Sequence, residues 1–125
     1  MILDTNAVSA LADGTPSLES ALSGEPLLSI PVVVVGEFRF GILGSRHRAR
    51  YERWLGDLMD SSRVLPIESE TARHYSVLRD DLKRRGRTIP SNDLWIAALA
   101  VEHDLAVVSR DAHFDAIPAV RRVRW

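Results

Sequence analysis

Cysteine is absent from the 125 residues. That excludes disulfides, thiolate metal sites and a cysteine nucleophile. Lysine is nearly absent: Lys83 stands alone beside fifteen arginines among the sixteen basic residues. Long apolar runs are missing too. The longest, Leu94 to Val101, falls far short of the ~20 residues a membrane span needs. The start, Met1-Ile2-Leu3-Asp4, lacks the basic stretch and longer apolar run of a signal peptide. The expectation is a soluble, cytoplasmic protein with no membrane partner. Net charge is only −1, so the chain is no basic coat for nucleic acid. There is no repeat, low-complexity tract or linker, and one domain is expected over residues 1–125. What remains is 46% hydrophobic and 26% charged, a balance that predicts a packed core rather than a disordered chain.

Short apolar runs alternate with helical patterns. Met1 to Leu3 reads as a buried strand, and Asp4-Thr5-Asn6 offers caps for a helix over Ala7 to Ala12. Gly14 and Pro16 break that helix. Ser17 to Leu22 is a second, stopped at Gly24, and Pro26 to Ile30 is a strand candidate. Val32 to Val35 favours a strand by propensity, but Phe38, Ile42 and Leu43 follow at helical spacing. Pro31 suits the first turn of a helix, so a helix is expected from Val32 to Leu43. Arg46 to Met59 is a more polar helix, Arg63 to Ile67 a strand, and Ser69 precedes an amphipathic helix that stops near Gly86. The helix from Pro90-Ser91-Asn92 to His103 is apolar all round, the mark of full burial. Ala106 to Val108 and the tail Val120 to Trp125 complete the strands. The pattern predicts an α/β domain whose parallel sheet is covered on both faces.

Four carboxylates stand in apolar settings. Asp4 follows Ile2-Leu3, and Asp111 follows Val107-Val108 by a few residues. In an open parallel sheet, ligands bind beyond the carboxyl ends of the strands. Alone, Asp4 reads first as a helix cap and Asp111 as a turn residue. On a helix, Glu37 has Val33, Val34, Phe40 and Gly41 as neighbours. A carboxylate on such a surface needs a cation, which a metal or an arginine such as Arg39 or Arg110 could supply. Asp93 is the only charge between Arg87 and Glu102. It suits the helix dipole, yet Ile96 and Ala97 share its face. Two strand ends and two helices can bring these four groups together, and oxygen-seeking Mg²⁺ or Mn²⁺ would relieve their repulsion. Such sites serve in-line displacement at phosphorus.

In chain order stand Ile2-Leu3-Asp4-Thr5-Asn6, Gly36-Glu37-Phe38-Arg39-Phe40-Gly41-Ile42, Asn92-Asp93-Leu94-Trp95-Ile96-Ala97-Ala98 and Val108-Ser109-Arg110-Asp111-Ala112-His113-Phe114. This ordered set resembles the PIN-domain nucleases, and most closely the VapC-type toxins of bacterial type II toxin–antitoxin pairs. The resemblance implies a three-layer α/β sandwich around a mainly parallel five-stranded sheet, as one PIN-like nuclease domain. It implies catalytic, metal-binding roles for Asp4, Glu37, Asp93 and Asp111, with Asn6 and Ser109 supporting the site through hydrogen bonds or water. It implies an endoribonuclease, a hydrolase that uses Mg²⁺ (or Mn²⁺ in its place) to activate the water that cleaves RNA. It further implies a homodimer and a VapB-like antitoxin whose C-terminal segment occludes the cleft, in a heterotetramer or larger assembly.

Candidate phosphate contacts are Arg46, Arg48, Arg50, Lys83, Arg84, Arg85 and Arg87, since arginine binds phosphate in a bidentate fork. Each cluster alone reads first as a solvated helix face. Val8, Leu11 and Leu18 could line an antitoxin groove or belong to the core. His47, His74, His103 and His113 are scattered; His113 could touch substrate but reads first as a surface or satisfied histidine. A phosphohydrolase with an aspartyl nucleophile would want a second aspartate where Asn6 stands, and no glycine-rich phosphate loop ending in lysine is present. A PIN-like RNA-processing nuclease outside toxin–antitoxin pairs, and a non-catalytic PIN-like binding module, are the remaining alternatives. Retention of all four acidic positions weighs against the last.

Overall fold

Ile2 and Leu3 are adjacent in the chain and both completely buried, as are Val107 and Val108. Successive strand residues point to opposite faces, so these strands are covered on both sides, as a parallel sheet in an α/β fold requires. The computed structural model describes residues 1–125. Its strands are β1 (Ile2–Leu3), β2 (Ser29–Pro31), β3 (Arg63–Leu65), β4 (Val107–Val108) and β5 (Arg122–Val123). They form one five-stranded sheet in the order β3-β2-β1-β4-β5, and every neighbouring pair is parallel. The chain steps outward from β1 to β3 and then returns to β1's other side for β4 and β5. The order therefore reverses between β1 and β4, where a parallel sheet opens a crevice at its carboxyl edge. Leu3 pairs with Val108, which sets Asp4 and Ser109 side by side at that edge.

Six helices flank the sheet: α1 (Thr5–Ala12), α2 (Pro16–Leu22), α3 (Val32–Ile42), α4 (Arg48–Asp60), α5 (Ser69–Arg84) and α6 (Ser91–His103). Helix α3 overrides the strand propensity of its four valines. Val34, Val35, Phe38 and Ile42 are buried while Val32 is 44% exposed, so the segment gains more by burying one helical face. Pro31 sits just outside the helix, as the last residue of β2 and the cap of α3. Strand β2 thus lies slightly later than the apolar run from Pro26 suggests. Ser69 opens α5; its cap is Glu68, which exchanges hydrogen bonds with Thr71. The Thr71 hydroxyl also donates to Glu102 at 2.6 Å, tying α5 to α6. Helix α6 buries Leu94 and Ile96 through Ala100, as its all-round apolar character predicts. Gly86 takes φ +67° just past α5, a conformation glycine adopts without strain, and so turns the chain back toward α6.

Val8 and Leu18 are fully buried, and Leu11 packs against the same core. These side chains belong to the interior rather than to an open groove. The tail folds back: Trp125 packs on the core, and the Arg110 guanidinium lies 4.8 Å from its ring centre. No helix is long and apolar enough to cross a membrane.

Candidate active site at the carboxyl edge of the sheet

Asp4 ends β1 and caps α1. It is 3% exposed. Its Oδ1 accepts from the Thr5 amide at 2.7 Å. Its Oδ2 accepts from the Ser109 hydroxyl at 2.6 Å and the Asn6 amide at 2.9 Å. Ser109, buried beyond β4, also accepts from Asn6 at 3.2 Å and from the Asp111 backbone N–H at 2.9 Å. Asn6 in turn accepts from the Arg110 backbone N–H at 3.1 Å. These bonds lock the two loops together across the reversal point.

Asp111 caps a short 3₁₀ turn (Ala112–Ala116), accepting from the His113 backbone N–H at 2.9 Å. That turn swings the His113 ring toward α6, where its Nδ1 lies 2.8 Å from Asp93 Oδ2 and 2.9 Å from Asp111 Oδ1. Ligating atoms of Asp93, Asp111 and His113 all fall within 4.8 Å of one another. Asp93 occupies the first turn of α6 with a side chain 14% exposed. Glu37 reaches in from α3, its Oε1 accepting from the Thr5 hydroxyl at 2.9 Å.

No arginine or lysine forms an ion pair with any of the four. Arg39, one candidate partner for Glu37, pairs instead with Glu52 at 3.3 Å. Arg110, the other, lies over Trp125. Burial holds the Asp4 carboxyl above its ordinary range; the Ser109 and Thr5 donors oppose the rise, and Glu37 and Asp111 add to it. Asp93 is raised likewise, chiefly by burial, with His113 opposing and Asp4 and Asp111 adding. The His113 imidazole is raised, first by its bond to Asp93. The four acidic residues foreseen from sequence therefore come to one cleft. Asn6 and Ser109 carry its hydrogen bonds. Two contributors went unassigned. Thr5 holds Glu37, and His113 is, as expected, an exposed histidine with its hydrogen bond satisfied, but the partners that satisfy it are two of the four carboxylates. The Asp-x-His spacing in a turn was the available signal for the second.

Asp93, Asp111 and His113 bring ligating atoms together, while Asp4 and Glu37 stand beside that group without joining it. Oxygen donors with one imidazole, and no arginine or lysine in ion-pair contact, are a set that fits a divalent metal ion. From Glu37, a groove between α1, α3 and α4 runs past Phe38 and Gly41 to Tyr51, beside Arg50. Of the other basic candidates, Arg84 is paired with Asp80. Arg85 is paired with Asp81 at 2.8 Å and donates to the Ala116 carbonyl at 2.7 Å. Lys83 and Arg87 line a second cleft with Ser91 and Leu94 at the start of α6. Arg46 and Arg48 form no ion pair.

The PIN domain family matches residues 1–120 of the chain. Ribonuclease VapC5 of Mycobacterium tuberculosis is 33% identical over 125 residues, covering 98% of this chain and 90% of its own. The crystal structure of VapBC-5, a toxin–antitoxin system member from the same organism, superposes with a TM-score of 0.79 at 31% identity, covering 99% of this chain and 97% of that one. A DNA-bound VapBC of Salmonella typhimurium superposes with a TM-score of 0.89 at 24% identity, covering 99% and 96%. At that identity the likeness is one of fold alone.

Proposed function

Because this chain belongs to the PIN-domain family, we propose that it is an endoribonuclease, the toxin of a VapBC-type toxin–antitoxin pair, with Mg²⁺ as its metal and Mn²⁺ able to substitute. Asp4, Glu37, Asp93 and Asp111 would hold the ion. The observation that carries this reading is a buried carboxylate, Asp4, beside three more, none of them ion-paired with an arginine or lysine. That arrangement occurs in a chain that has fifteen arginines. Its relatives are named ribonucleases, and the 31% identical structure it superposes on is a member of the VapBC family of toxin–antitoxin systems.

Bound divalent metal supplies Lewis acidity at the phosphate and lowers the pKa of the attacking water. The chain's own groups do the positioning. Ser109 and Asn6 fix the Asp4 carboxylate, and Thr5 aims Glu37 into the same cleft. Water adds to phosphorus, the bond to the ribose 3′ oxygen breaks, and 5′-phosphate and 3′-hydroxyl ends remain. Arg50 along the α1–α3–α4 groove, with Arg46 and Arg48 close by in sequence, and Lys83 and Arg87 at the start of α6, would hold flanking phosphates. Such contacts place the strand without reading its bases. A VapB-like antitoxin is the expected partner, with the toxin itself a homodimer.

The test is cleavage of total RNA by purified protein with Mg²⁺, with Mn²⁺ and with chelator, followed by sequencing of the ends. Cleavage that needs metal and vanishes in Asp4→Asn and Asp93→Asn is expected. Full cleavage by either variant, or in chelator, would refute the reading.

A further inference from the structure

We infer that His113 is itself a metal ligand, so that the ion sits on a mixed face of two carboxylates and one imidazole nitrogen. This rests on the metal reading given above and extends it. The argument is geometric. A histidine that merely caps a neighbour bonds one acceptor, but His113 Nδ1 stands 2.8 Å from Asp93 and 2.9 Å from Asp111. One N–H serves both only through a bifurcated bond, weaker to each acceptor than a linear one. Adjacent ligands around an octahedral ion with bonds of ~2.1 Å lie ~3 Å apart, close to both of these distances. The third edge of the triangle stays within 4.8 Å, so a small closing movement of the two carboxylates brings all three atoms into reach of one ion.

The local backbone aims the ring. Asp111 caps the 3₁₀ turn by accepting the His113 N–H, so one residue both offers a carboxylate and orients the imidazole beside it. Asp93 is carried by α6, whose buried face is fixed in the core. The ring is 46% exposed on its outer side, so removing it leaves no buried void. An imidazole nitrogen favours transition ions over Mg²⁺, which prefers oxygen throughout. The site should therefore hold Mn²⁺ more tightly than four carboxylates alone would.

The full chain is titrated with MnCl₂ and, separately, MgCl₂ by calorimetry, and the Mn²⁺ complex is read by pulsed electron paramagnetic resonance for ¹⁴N coupling. Wild type should show one coupled nitrogen that is absent from His113→Ala and His113→Gln. Both variants should bind Mn²⁺ roughly tenfold or more weakly while Mg²⁺ affinity changes by less than about threefold. Mn²⁺ bound without nitrogen coupling would overturn the inference and leave the carboxylate reading standing. So would a lower thermal midpoint in chelator with an unchanged Mn²⁺-to-Mg²⁺ ratio, the mark of a purely structural residue. No Mn²⁺ binding by wild type would overturn both.

Discussion

Two populations of carboxylates share this molecule and are treated in opposite ways. On the outer helices and the sheet edge, Glu70 meets Arg73, Asp80 meets Arg84, and Asp115 meets Arg122. Those arginines hold each carboxyl below its ordinary range. At the carboxyl edge of the sheet, Asp4 and Asp93 are raised chiefly by burial and then by neighbouring carboxylates, Glu37 and Asp111 for Asp4, and Asp4 and Asp111 for Asp93. Only hydroxyls, amides and one imidazole face them. The difference is not a shortage of arginine. It teaches that the cleft holds its charge for a cation from outside, because fixed charges unbalanced within the fold cost stability that only a ligand returns.

Neutralising the cleft should have the largest effect. Asp4→Asn or Asp93→Asn is expected to reduce RNA cleavage to the level of chelated wild type, whereas Asp80→Asn on the outer face of α5 should leave it unchanged. Gel and end-sequencing assays on purified protein read this directly. Equal losses at Asp4 and Asp80 would erase the comparison. Next comes the stabilisation that metal returns. At a concentration about a hundredfold above its dissociation constant, an ion bound only to the native chain adds about 2.7 kcal/mol. Calorimetry should show the wild-type thermal midpoint rising by several degrees with Mn²⁺, and Asp93→Asn barely moving.

Ser109 sharpens the contrast from within the cleft. Its hydroxyl is wholly buried, donates to Asp4 and accepts from the Asp111 N–H. Ser109→Ala leaves both without that partner, at a cost of about 1–3 kcal/mol, read by denaturant unfolding. Cleavage should fall roughly ten- to hundredfold as the carboxylate loses its orientation.

Much of this comparison is legible in the chain itself. Ile2-Leu3 before Asp4 and Val107-Val108 before Ser109 mark strand ends, because a fully buried parallel strand must be apolar on both faces. Glu37 stands out because helical spacing surrounds it with apolar neighbours. What sequence could not supply was partnership. Arg39, two residues from Glu37, and Arg110, far along the chain, were both possible partners, and only the packed structure shows them committed to Glu52 and Trp125. His113 went unassigned for the same reason. Its value depends on a 3₁₀ turn and on α6 arriving from twenty residues away, and neither leaves a periodic pattern.

The pH response should separate the two populations by sign. Asp4 and Asp93 have raised values in the folded chain. Their contribution to stability is thus fully present below the ordinary carboxylate range and is lost as pH rises through the raised values. Glu70, Asp80 and Asp115 have lowered values, so theirs is present above that range and lost as pH falls through the lowered ones. In chelator, the thermal midpoint of Asp4→Asn relative to wild type should therefore decline as pH is lowered from about 7 toward about 4. That of Asp80→Asn should climb over the lower end of the same window. Parallel trends would show that the cleft carboxylates are as well balanced as the surface ones.

The smallest effect concerns the basic residues. Arg84 and Arg85 are already committed to Asp80 and Asp81, while Lys83 and Arg87 line the cleft at the start of α6 without an acidic partner. A cation held by a carboxylate must give up that partner before it can serve a phosphate, and a free one need not. Lys83→Ala and Arg87→Ala should each lower the salt dependence of RNA affinity by about one released counterion. Arg84→Ala should leave that slope and the thermal midpoint where they were, since exposed pairs contribute little. Binding isotherms at several salt concentrations, taken with Asp93→Asn as background so that RNA stays intact, make the measurement. A slope that drops for Arg84 and not for Lys83 would mean that pairing on the outer helix does not govern which cations the RNA meets.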